Sequence, residues 1–246
     1  MKTNNTLSLS PDLRVSPWDQ LFAENGRVHI PNFLTESAAT TVFECLNSQE
    51  TWNLVCQQEG IHQDLNDNIG AVWSEAQLAK FTTKLHEQAR QNFQYLYRTI
   101  PIYDIYHKQL LPGNFLNEIF LFLNSPEFLN FLREALQMPE IAFADAQATC
   151  YTRGDFLTKH DDSAQGKNRL AGYVLNLTPS WNPNWGGALQ FYDSQDNCVD
   201  TFLPSYNALN VFRVPQPHAV TYIPPFADGK RLSITGWLRA GADPGR

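Results

Sequence analysis

One histidine and two aspartates follow a strand-like run in YTRGDFLTKHDDSAQ, residues 151–165. Successive side chains of a strand point to opposite faces, so His160 and Asp162 share a face while Asp161 points away. Imidazole nitrogen and carboxylate oxygen are good ligands for Fe(II) or Mn(II), and two histidines with one carboxylate leave coordination positions open. An HxD triplet also occurs by chance among ordinary surface and core residues. The triplet therefore predicts a metal site only if a second histidine reaches it.

The C-terminal half of the chain offers one candidate for that second histidine. Besides His160, only His218 lies there, in FRVPQPHAVTYI, where it begins an apolar, strand-like run. The other four histidines lie in the N-terminal half: His29, His62, His86 and His107. The candidate metal ligands are therefore His160, Asp162 and His218.

An arginine and a serine come next, in RLSITGWL, where Arg231 begins a strand and Ser233 lies on the same face. A planar guanidinium binds a carboxylate through two parallel, charge-assisted hydrogen bonds, and a nearby hydroxyl adds a donor. A 2-oxo acid that chelates Fe(II) through its keto-acid end needs such an anchor for its far carboxylate. Taken alone, Arg231 is an ordinary charge at the end of a strand. After the candidate metal ligands, it predicts a site for a dicarboxylic 2-oxo acid.

The first 139 residues are interpreted as a helical layer. Residues 1–16 are expected to form a flexible polar tail, and RVHIPNFL a short strand that ends at Pro31. Apolar residues recur at helical spacing in four later stretches: TESAATTVFECL, 74–98, NFLNEIFLFLN and SPEFLNFLREAL. Thr35 and Ser125 are the expected N-caps of the first and last of these helices. The aromatic run FQYLY, residues 93–97, is interpreted as the core of the second helix.

After Pro139 the sequence predicts a β-rich core. Short stretches rich in Val, Phe, Tyr and Thr alternate with turn signals such as GD, NPNWGG and DGK. Strands are expected over 143–151, 156–160, 169–178, 187–192, 198–203, 207–213, 217–223 and 231–238. The GG of NPNWGG is interpreted as a turn before a strand. We expect an α+β fold: a double-stranded β-helix (jelly-roll) core over 140–246, with the helical layer of 17–139 packed on one sheet, in one structural unit.

Composition and charge narrow the classes of function. The chain has 246 residues, 43% of them hydrophobic, and a formal net charge of −7 without a basic cluster. Because phosphate binding depends mostly on Lys and Arg, nucleic acid is not expected as a partner. Four scattered cysteines, the polar start and the lack of an apolar run of about 20 residues predict a cytoplasmic protein that does not span a membrane. The oligomeric state leaves no signal in the sequence.

Several stretches together resemble the Fe(II)- and 2-oxoglutarate-dependent dioxygenases, in their prolyl-hydroxylase-like branch. They are CYTRGDFLTKHDD, RLAGYVLNLTPSW, WGGALQFY, PHAV and RLSITGW, which lie within residues 140–240. RVHIPNFL with the helix after it also resembles the usual entry to this fold. Within the branch, the chain resembles hydroxylases of prolyl residues in a ribosomal protein and, more distantly, the oxygen-sensing prolyl hydroxylases.

The resemblance implies Fe(II) as the metal, 2-oxoglutarate and O2 as co-substrates, and ascorbate as a reductant. The three candidate ligands would bind the iron. Arg231 and Tyr151 would bind the far carboxylate of 2-oxoglutarate, with help from Ser233. Many relatives have a tyrosine where this chain has Asn176, whose amide would have to make the same contact with a shorter reach.

Two further residues match positions near the substrate entrance in relatives, and one loop is a candidate cover for the iron. Arg169 and Trp237 lie near the substrate entrance in relatives, although a surface charge and a core aromatic are their ordinary interpretations. Relatives that halogenate replace the carboxylate of Asp162 with a small residue, so its presence implies hydroxylation. DLNDN, residues 64–68, resembles a calcium loop only loosely, and is interpreted as a plain loop that could form a lid over the iron.

The expected function is that of an Fe(II)- and 2-oxoglutarate-dependent dioxygenase, hydroxylating a prolyl or similar residue in a protein or peptide. One alternative is the same chemistry on a free amino acid or small metabolite. The other is a cupin-like protein that binds metal, as a sensor for example, without turnover. A protein that only binds metal has no need for a dicarboxylate anchor, so Arg231 and Ser233 favour the enzyme.

Overall fold

The computed structural model describes residues 7–65 and 73–245. Its helices are α1 Trp18–Asn25, α2 Glu36–Asn47, α3 Glu75–Ala89, α4 Ile102–His107, α5 Phe115–Leu123 and α6 Pro126–Ala135. Its first seven strands are β1 Arg27–Pro31, β2 Asn53–Gln58, β3 Ile61–Leu65, β4 Tyr95–Ile100, β5 Ile141–Ala144, β6 Gln147–Tyr151 and β7 Phe156–His160. The others are β8 Arg169–Asn176, β9 Leu189–Tyr192, β10 Cys198–Phe202, β11 Ala208–Arg213, β12 His218–Val220 and β13 Arg231–Ala240.

The strands form an antiparallel sheet that is nearly closed into a barrel, which confirms the predicted jelly-roll core. Hydrogen-bonded neighbours follow the order β1-β11-β8-β13-β6-β4-β7-β12-β9-β10. Side chains bring the two ends of this order together, because Arg27 Nε donates to Asp200 Oδ2 at 2.8 Å. The rings of His29 and Phe202 lie 5.6 Å apart at the same seam. Closure of this kind leaves few free strand edges.

Helices α1, α2, α5 and α6 pack on one face of the barrel, as expected. Their buried residues, Phe22 and Phe120 among them, share one apolar core with Tyr173, Val211 and Ile234 of the sheet. The two predicted N-caps are also confirmed. The Thr35 side chain accepts a hydrogen bond from the amide of Ala38, and the Ser125 side chain accepts one from Phe128.

The predicted helix over 74–98 is wrong beyond Ala89, where α3 ends. Residues 95–100 form β4 instead, which pairs with β2, β6 and β7. The spacing of the apolar residues suggested one continuous helix, because Leu85 of α3 and Leu96 of β4 contribute to the same apolar cluster. The β-prone composition of YLYRTI and its pairing with three strands decide the local structure.

The hairpin of β2 and β3 in the N-terminal half was not predicted from the sequence. Strands β2 and β3 pair from Gln58 opposite Ile61 to Leu54 opposite Leu65. Glu59 and Gly60 connect them, both with positive φ of 51° and 80°. Two such residues make a tight hairpin turn that favours glycine in second place, so the Glu-Gly pair was the available signal.

The boundaries at the N-terminus and before the core differ from the expectation. The chain is anchored from Leu7 onward, because Leu9 pairs with Leu34 and the amide of Ser10 donates to the carbonyl of Phe33 at 2.9 Å. The single strand expected over 143–151 is divided into β5 and β6. The first two residues of the loop expected over 64–68 end β3, and residues 66–68 lie outside the described part of the chain. No helix within the described residues is long and apolar enough to cross a membrane.

Candidate active site

Two neighbouring strands bring the candidate histidines together. His160 ends β7 and His218 begins β12, and the two residues are paired opposite each other. Their ring centroids lie 4.1 Å apart. The pairing shifts by one residue along these strands, since Val220 lies opposite Leu157. A bulge of this kind re-aims side chains, and it lets both Leu157 and His160 face the same cavity.

Asp162 reaches the histidines through a turn rather than through strand alternation. The strand ends at His160, and Asp162 has a φ of 62°. Its Oδ1 lies 3.4 Å from His160 Nε2, and its Oδ2 lies 3.5 Å from His218 Nε2. Asp161 is exposed and accepts a hydrogen bond from the amide of Ser163. The expectation that Asp162 joins the histidines agrees with the geometry, but the reason given for it was wrong.

The backbone fixes which ring nitrogen of each histidine faces the centre. Nδ1 of His160 lies 3.0 Å from the carbonyl of Thr158, and Nδ1 of His218 lies 2.7 Å from that of Gln216. A carbonyl only accepts, so Nδ1 carries the proton and Nε2 keeps its lone pair. This arrangement orients a metal-binding histidine. The ligand atoms of His160, Asp162 and His218 lie within 4.8 Å of one another, close enough to share one ion.

The protonation states also suit a metal. Burial, followed by the nearby His160, lowers the pKa of His218 to about 4, so this imidazole is neutral near pH 7. Burial of Asp162 raises its pKa, but the neighbouring His160 and His218 outweigh burial and lower the pKa of the carboxyl. A neutral imidazole and a carboxylate are the ligand forms that Fe(II) requires.

The three side chains line a cavity of about 550 Å³, and a cationic side chain lines the same cavity. Arg231 at the start of β13 lines this cavity and is only 2% exposed. Within residues 7–65 and 73–245, no hydrogen bond or ion pair to its guanidinium is found, and Nε is buried without a partner. Leaving a buried charge unpaired costs several kcal/mol, on the order of the loss of a buried ion-pair partner. The site is therefore built for an anion that the protein itself does not supply.

Residues paired across β6 and β13 surround that guanidinium. Tyr151 lies opposite Arg231, and Thr149 lies opposite Ser233. The hydroxyls of Thr149 and Ser233 lie 2.7 Å apart. Burial and the neighbouring Tyr97 raise the pKa of Tyr151, which keeps its phenol protonated as a hydrogen-bond donor. The arrangement offers a cation and several hydroxyls to one carboxylate.

Asn176 does not line this cavity among the described residues. It is fully buried on β8, where its Nδ2 lies 3.3 Å from the carbonyl of Ala208. Its Oδ1 is buried without a hydrogen-bond partner. A contact between Asn176 and the co-substrate therefore stays a prediction.

Arg169 and Trp237 line the cavity and contact each other. The Arg169 guanidinium lies 3.5 Å from the centre of the Trp237 ring. Its Nη1 also donates to the backbone carbonyl of Asp162 at 3.0 Å. This hydrogen bond supports the left-handed turn that holds the carboxylate, a role that the sequence did not indicate.

Sequence reasoning missed the wall contributed by the N-terminal half. His62, Phe93, Tyr95 and Tyr97 line the cavity from β3 and β4 and the segment between α3 and β4. Tyr97 stacks on Tyr151, with ring centroids 4.9 Å apart. Phe93 is 41% exposed, and its ring lies 5.2 Å from that of His160. An alternating aromatic pattern in FQYLYRT was the available signal, but it was assigned to a helix.

A family model agrees with this geometry. The model described as "2OG-Fe(II) oxygenase superfamily" matches residues 146–239, which include both histidines, Asp162 and Arg231. Residues 146–239 of this chain are therefore similar to the 2OG-Fe(II) oxygenase superfamily. The superfamily implies Fe(II), 2-oxoglutarate and O2, and the His-Asp-His cluster and the unpaired Arg231 fit the metal and the dicarboxylic acid respectively.

Relatives with names match a similar share of the chain. Prolyl 3-hydroxylase OGFOD1 of Xenopus laevis is 35% identical over 102 residues, 38% of this chain and 19% of that protein. Prolyl 3-hydroxylase sudestada1 of Drosophila melanogaster is 30% identical over 112 residues, 40% of this chain and 20% of that protein. The chain thus spans about a fifth of the length of the relatives it matches.

Solved structures show the fold over nearly the whole chain. A 2OG-Fe(II) oxygenase family oxidoreductase from Burkholderia pseudomallei has a TM-score of 0.61, with 13% identity and 94% of each chain covered. A prolyl hydroxylase from Trichoplax adhaerens, in complex with a peptide fragment of the hypoxia inducible factor oxygen degradation domain, has a TM-score of 0.57. The identity is 17%, with 92% of this chain and 89% of that chain covered.

Proposed function

We propose that this protein is an Fe(II)- and 2-oxoglutarate-dependent hydroxylase of a prolyl residue in a protein or peptide. One observation carries the reaction class: the buried, unpaired guanidinium of Arg231 shares a cavity with the His160, Asp162 and His218 cluster. A metal-binding protein without turnover has no use for that cation.

One group of residues would bind the metal, and another would bind the co-substrate. His160, Asp162 and His218 would hold Fe(II). Arg231 would bind the far carboxylate of 2-oxoglutarate, and Tyr151 would donate a hydrogen bond to it. When bound, the iron with 2-oxoglutarate and O2 supplies the oxidation of a substrate C–H bond.

The protein's own contribution to the reaction is placement and exclusion of water. The half-buried ring of Tyr97 stacks on the buried ring of Tyr151 beside Arg231, and the pair would keep water from the carboxylate site. Arg169 holds the turn of Asp162 and so fixes one ligand. The substrate C–H has to approach from the exposed side, where Phe93 stands beside His160.

The proposed prolyl substrate has two kinds of support. The named relatives are prolyl 3-hydroxylases. In addition, the exposed ring of Phe93 at the cavity mouth offers an apolar face to a pyrrolidine ring, and the cavity volume of about 550 Å³ exceeds what a bound dicarboxylic acid requires.

The test is turnover with defined substrates. Purified protein with Fe(II), 2-oxoglutarate and ascorbate is incubated in air with a panel of proline-containing peptides, matched peptides in which alanine replaces proline, and free proline. We expect succinate, together with the added mass of one oxygen atom on proline peptides only. Oxidation of free proline alone would favour an amino-acid hydroxylase, and no succinate with any substrate would favour the metal-binding protein without turnover.

A further inference from the structure

The double glycine between Trp185 and β9 lies behind Arg231. Gly186 and Gly187 have φ values of 64° and 65°. The amide of Gly187 donates to the carbonyl of Thr221 at 3.1 Å, and the indole of Trp181 donates to the carbonyl of Gly186 at 2.9 Å. The backbone of this turn is therefore held from both sides and has little freedom to move.

The two glycines serve different needs. A Cβ on Gly186 would lie 2.1 Å from the carbonyl oxygen of Tyr222, a backbone clash that forbids any side chain. A Cβ on Gly187 would instead lie 3.2 Å from Arg231 Cδ and 3.2 Å from Trp181 Cζ2. Gly186 is required for the turn itself, whereas the space at Gly187 is filled by the stem of Arg231.

Gly187 and Arg231 differ in their position relative to the cavity. In the described part of the chain, Arg231 lines the cavity but Gly187 does not. A methyl group at Gly187 would therefore press on the Arg231 stem from the side away from the cavity. Trp181 and Ile223 bound the same space, so the arginine is the flexible neighbour that has to yield.

We propose that Gly187 is a positioning residue for the co-substrate: its missing side chain leaves the space that lets the Arg231 stem place its guanidinium at the carboxylate site. The inference rests on the proposed function, because it needs a dicarboxylic 2-oxo acid as the ligand of Arg231. The role proposed for Gly187 concerns neither the metal ligands nor the substrate C–H bond. A hydrogen bond between a guanidinium and a carboxylate depends on distances of a few tenths of an ångström, so a small displacement weakens it.

Binding measurements on the Mn(II)-loaded protein without oxygen test this assignment. Gly187→Ala should bind 2-oxoglutarate about tenfold more weakly, a factor that corresponds to about 1.4 kcal/mol. Its affinities for Mn(II) and for oxalate, which chelates the metal but has no far carboxylate, should stay unchanged. Calorimetric titration gives all three dissociation constants.

The matched control is Gly113→Ala. Gly113 has a φ of 75°, but nothing lies within 4 Å of its Cβ position, so this variant carries similar backbone strain without touching Arg231. It should bind 2-oxoglutarate as the wild type does. If Gly187→Ala does not fold, Trp181→Phe decides the question, because losing the hydrogen bond to Gly186 should loosen the wall and weaken 2-oxoglutarate binding but not oxalate binding.

The outcomes separate the inference from the proposed function. If Arg231→Ala binds 2-oxoglutarate as tightly as the wild type does, Arg231 is not a carboxylate anchor and the proposed function fails. If Arg231→Ala binds 2-oxoglutarate more weakly and Gly187→Ala keeps the wild-type affinity, only the inference is overturned. Equal weakening of 2-oxoglutarate, oxalate and Mn(II) would also overturn it, because the effect would then be a general disturbance of the site.

Discussion

Adjacent aspartates in this chain have different surroundings, and a pair of variants can distinguish their roles. Asp162 lies within 3.5 Å of both histidines, whereas Asp161 is exposed at the cavity rim. Loss of a residue that merely orients a ligand weakens metal binding about 10- to 100-fold, so losing a ligand should cost more. We expect Asp162→Ala to bind Fe(II) at least about 100-fold more weakly and Asp161→Ala to bind as the wild type does.

Anaerobic titration of Fe(II) into the two variants checks this prediction. Equal losses in both variants would mean that the general negative charge of the rim, rather than a ligand position, determines metal binding.

Phe93 is expected to contact the substrate. Its exposed ring stands beside His160, where a prolyl ring would have to approach. Covering about 40 Å² of apolar surface is worth about 1 kcal/mol, so Phe93→Ala should raise KM for a substrate peptide about fivefold while leaving KM for 2-oxoglutarate unchanged. Leu78→Ala, at another exposed apolar residue on α3, is the control and should change neither constant. A change in KM for 2-oxoglutarate alone would contradict this role.

The turn between β6 and β7 contains a buried aspartate, and keeping its carboxylate charged costs folding stability. Asp155 is 2% exposed; it accepts a hydrogen bond from the amide of Thr152 and pairs with Arg98 at 2.9 Å. Burial raises the pKa of Asp155 to about 6, and Arg98 offsets part of that effect. The folded protein thus holds this proton more tightly than the unfolded chain, whose carboxyl titrates near 3.8.

The sign of the pH dependence follows from that difference. Between pH 4 and 6 the folded state binds more protons at Asp155, so this group's contribution to the free energy of unfolding falls as pH rises. A difference of about 2 in pKa corresponds to about 3 kcal/mol. Relative to Asp155→Asn, the wild type should therefore lose stability from pH 4 to pH 6.5 in urea denaturation. A difference that stays flat or grows with pH would show that the ion pair with Arg98 prevails.

The elements were predictable where local pattern and tertiary contacts agree. Thr35 and Ser125 cap helices whose apolar stripes face the sheet, and both were identified from the sequence. Strand β4 was not, because its apolar residues pack into the same cluster as those of α3 and continue the helical spacing. The turn at Asp162 was also missed, since a positive φ at an aspartate has no periodic signal.

For the whole molecule, the jelly roll and the set of candidate metal ligands followed from the C-terminal half alone. What the sequence did not provide was the contribution of the N-terminal half, in which β2, β3 and β4 extend the sheet and β3 and β4 line the cavity. Strand β4 pairs with partners that are distant in the sequence, as Thr99 does with Thr149, and such pairing is invisible to local periodicity. The bulge that turns His160 inward likewise depends on the register with β12.

The central claim is that three ligands and one guanidinium meet in a single cavity to bind one Fe(II) and one 2-oxoglutarate. Removing a charge-assisted partner typically costs about 2–5 kcal/mol, so Arg231→Ala should need far more 2-oxoglutarate while binding Fe(II) normally. Arg213→Ala, at an exposed arginine on β11, is the control and should match the wild type.

The most direct measurement is the visible charge-transfer band that appears when 2-oxoglutarate is added to the Fe(II)-loaded protein without oxygen. We predict a band that saturates at one equivalent of iron in the wild type, is absent in His160→Ala, and appears in Arg231→Ala only at much higher 2-oxoglutarate. A band of wild-type strength in His160→Ala, or an unchanged 2-oxoglutarate requirement in Arg231→Ala, would contradict the account.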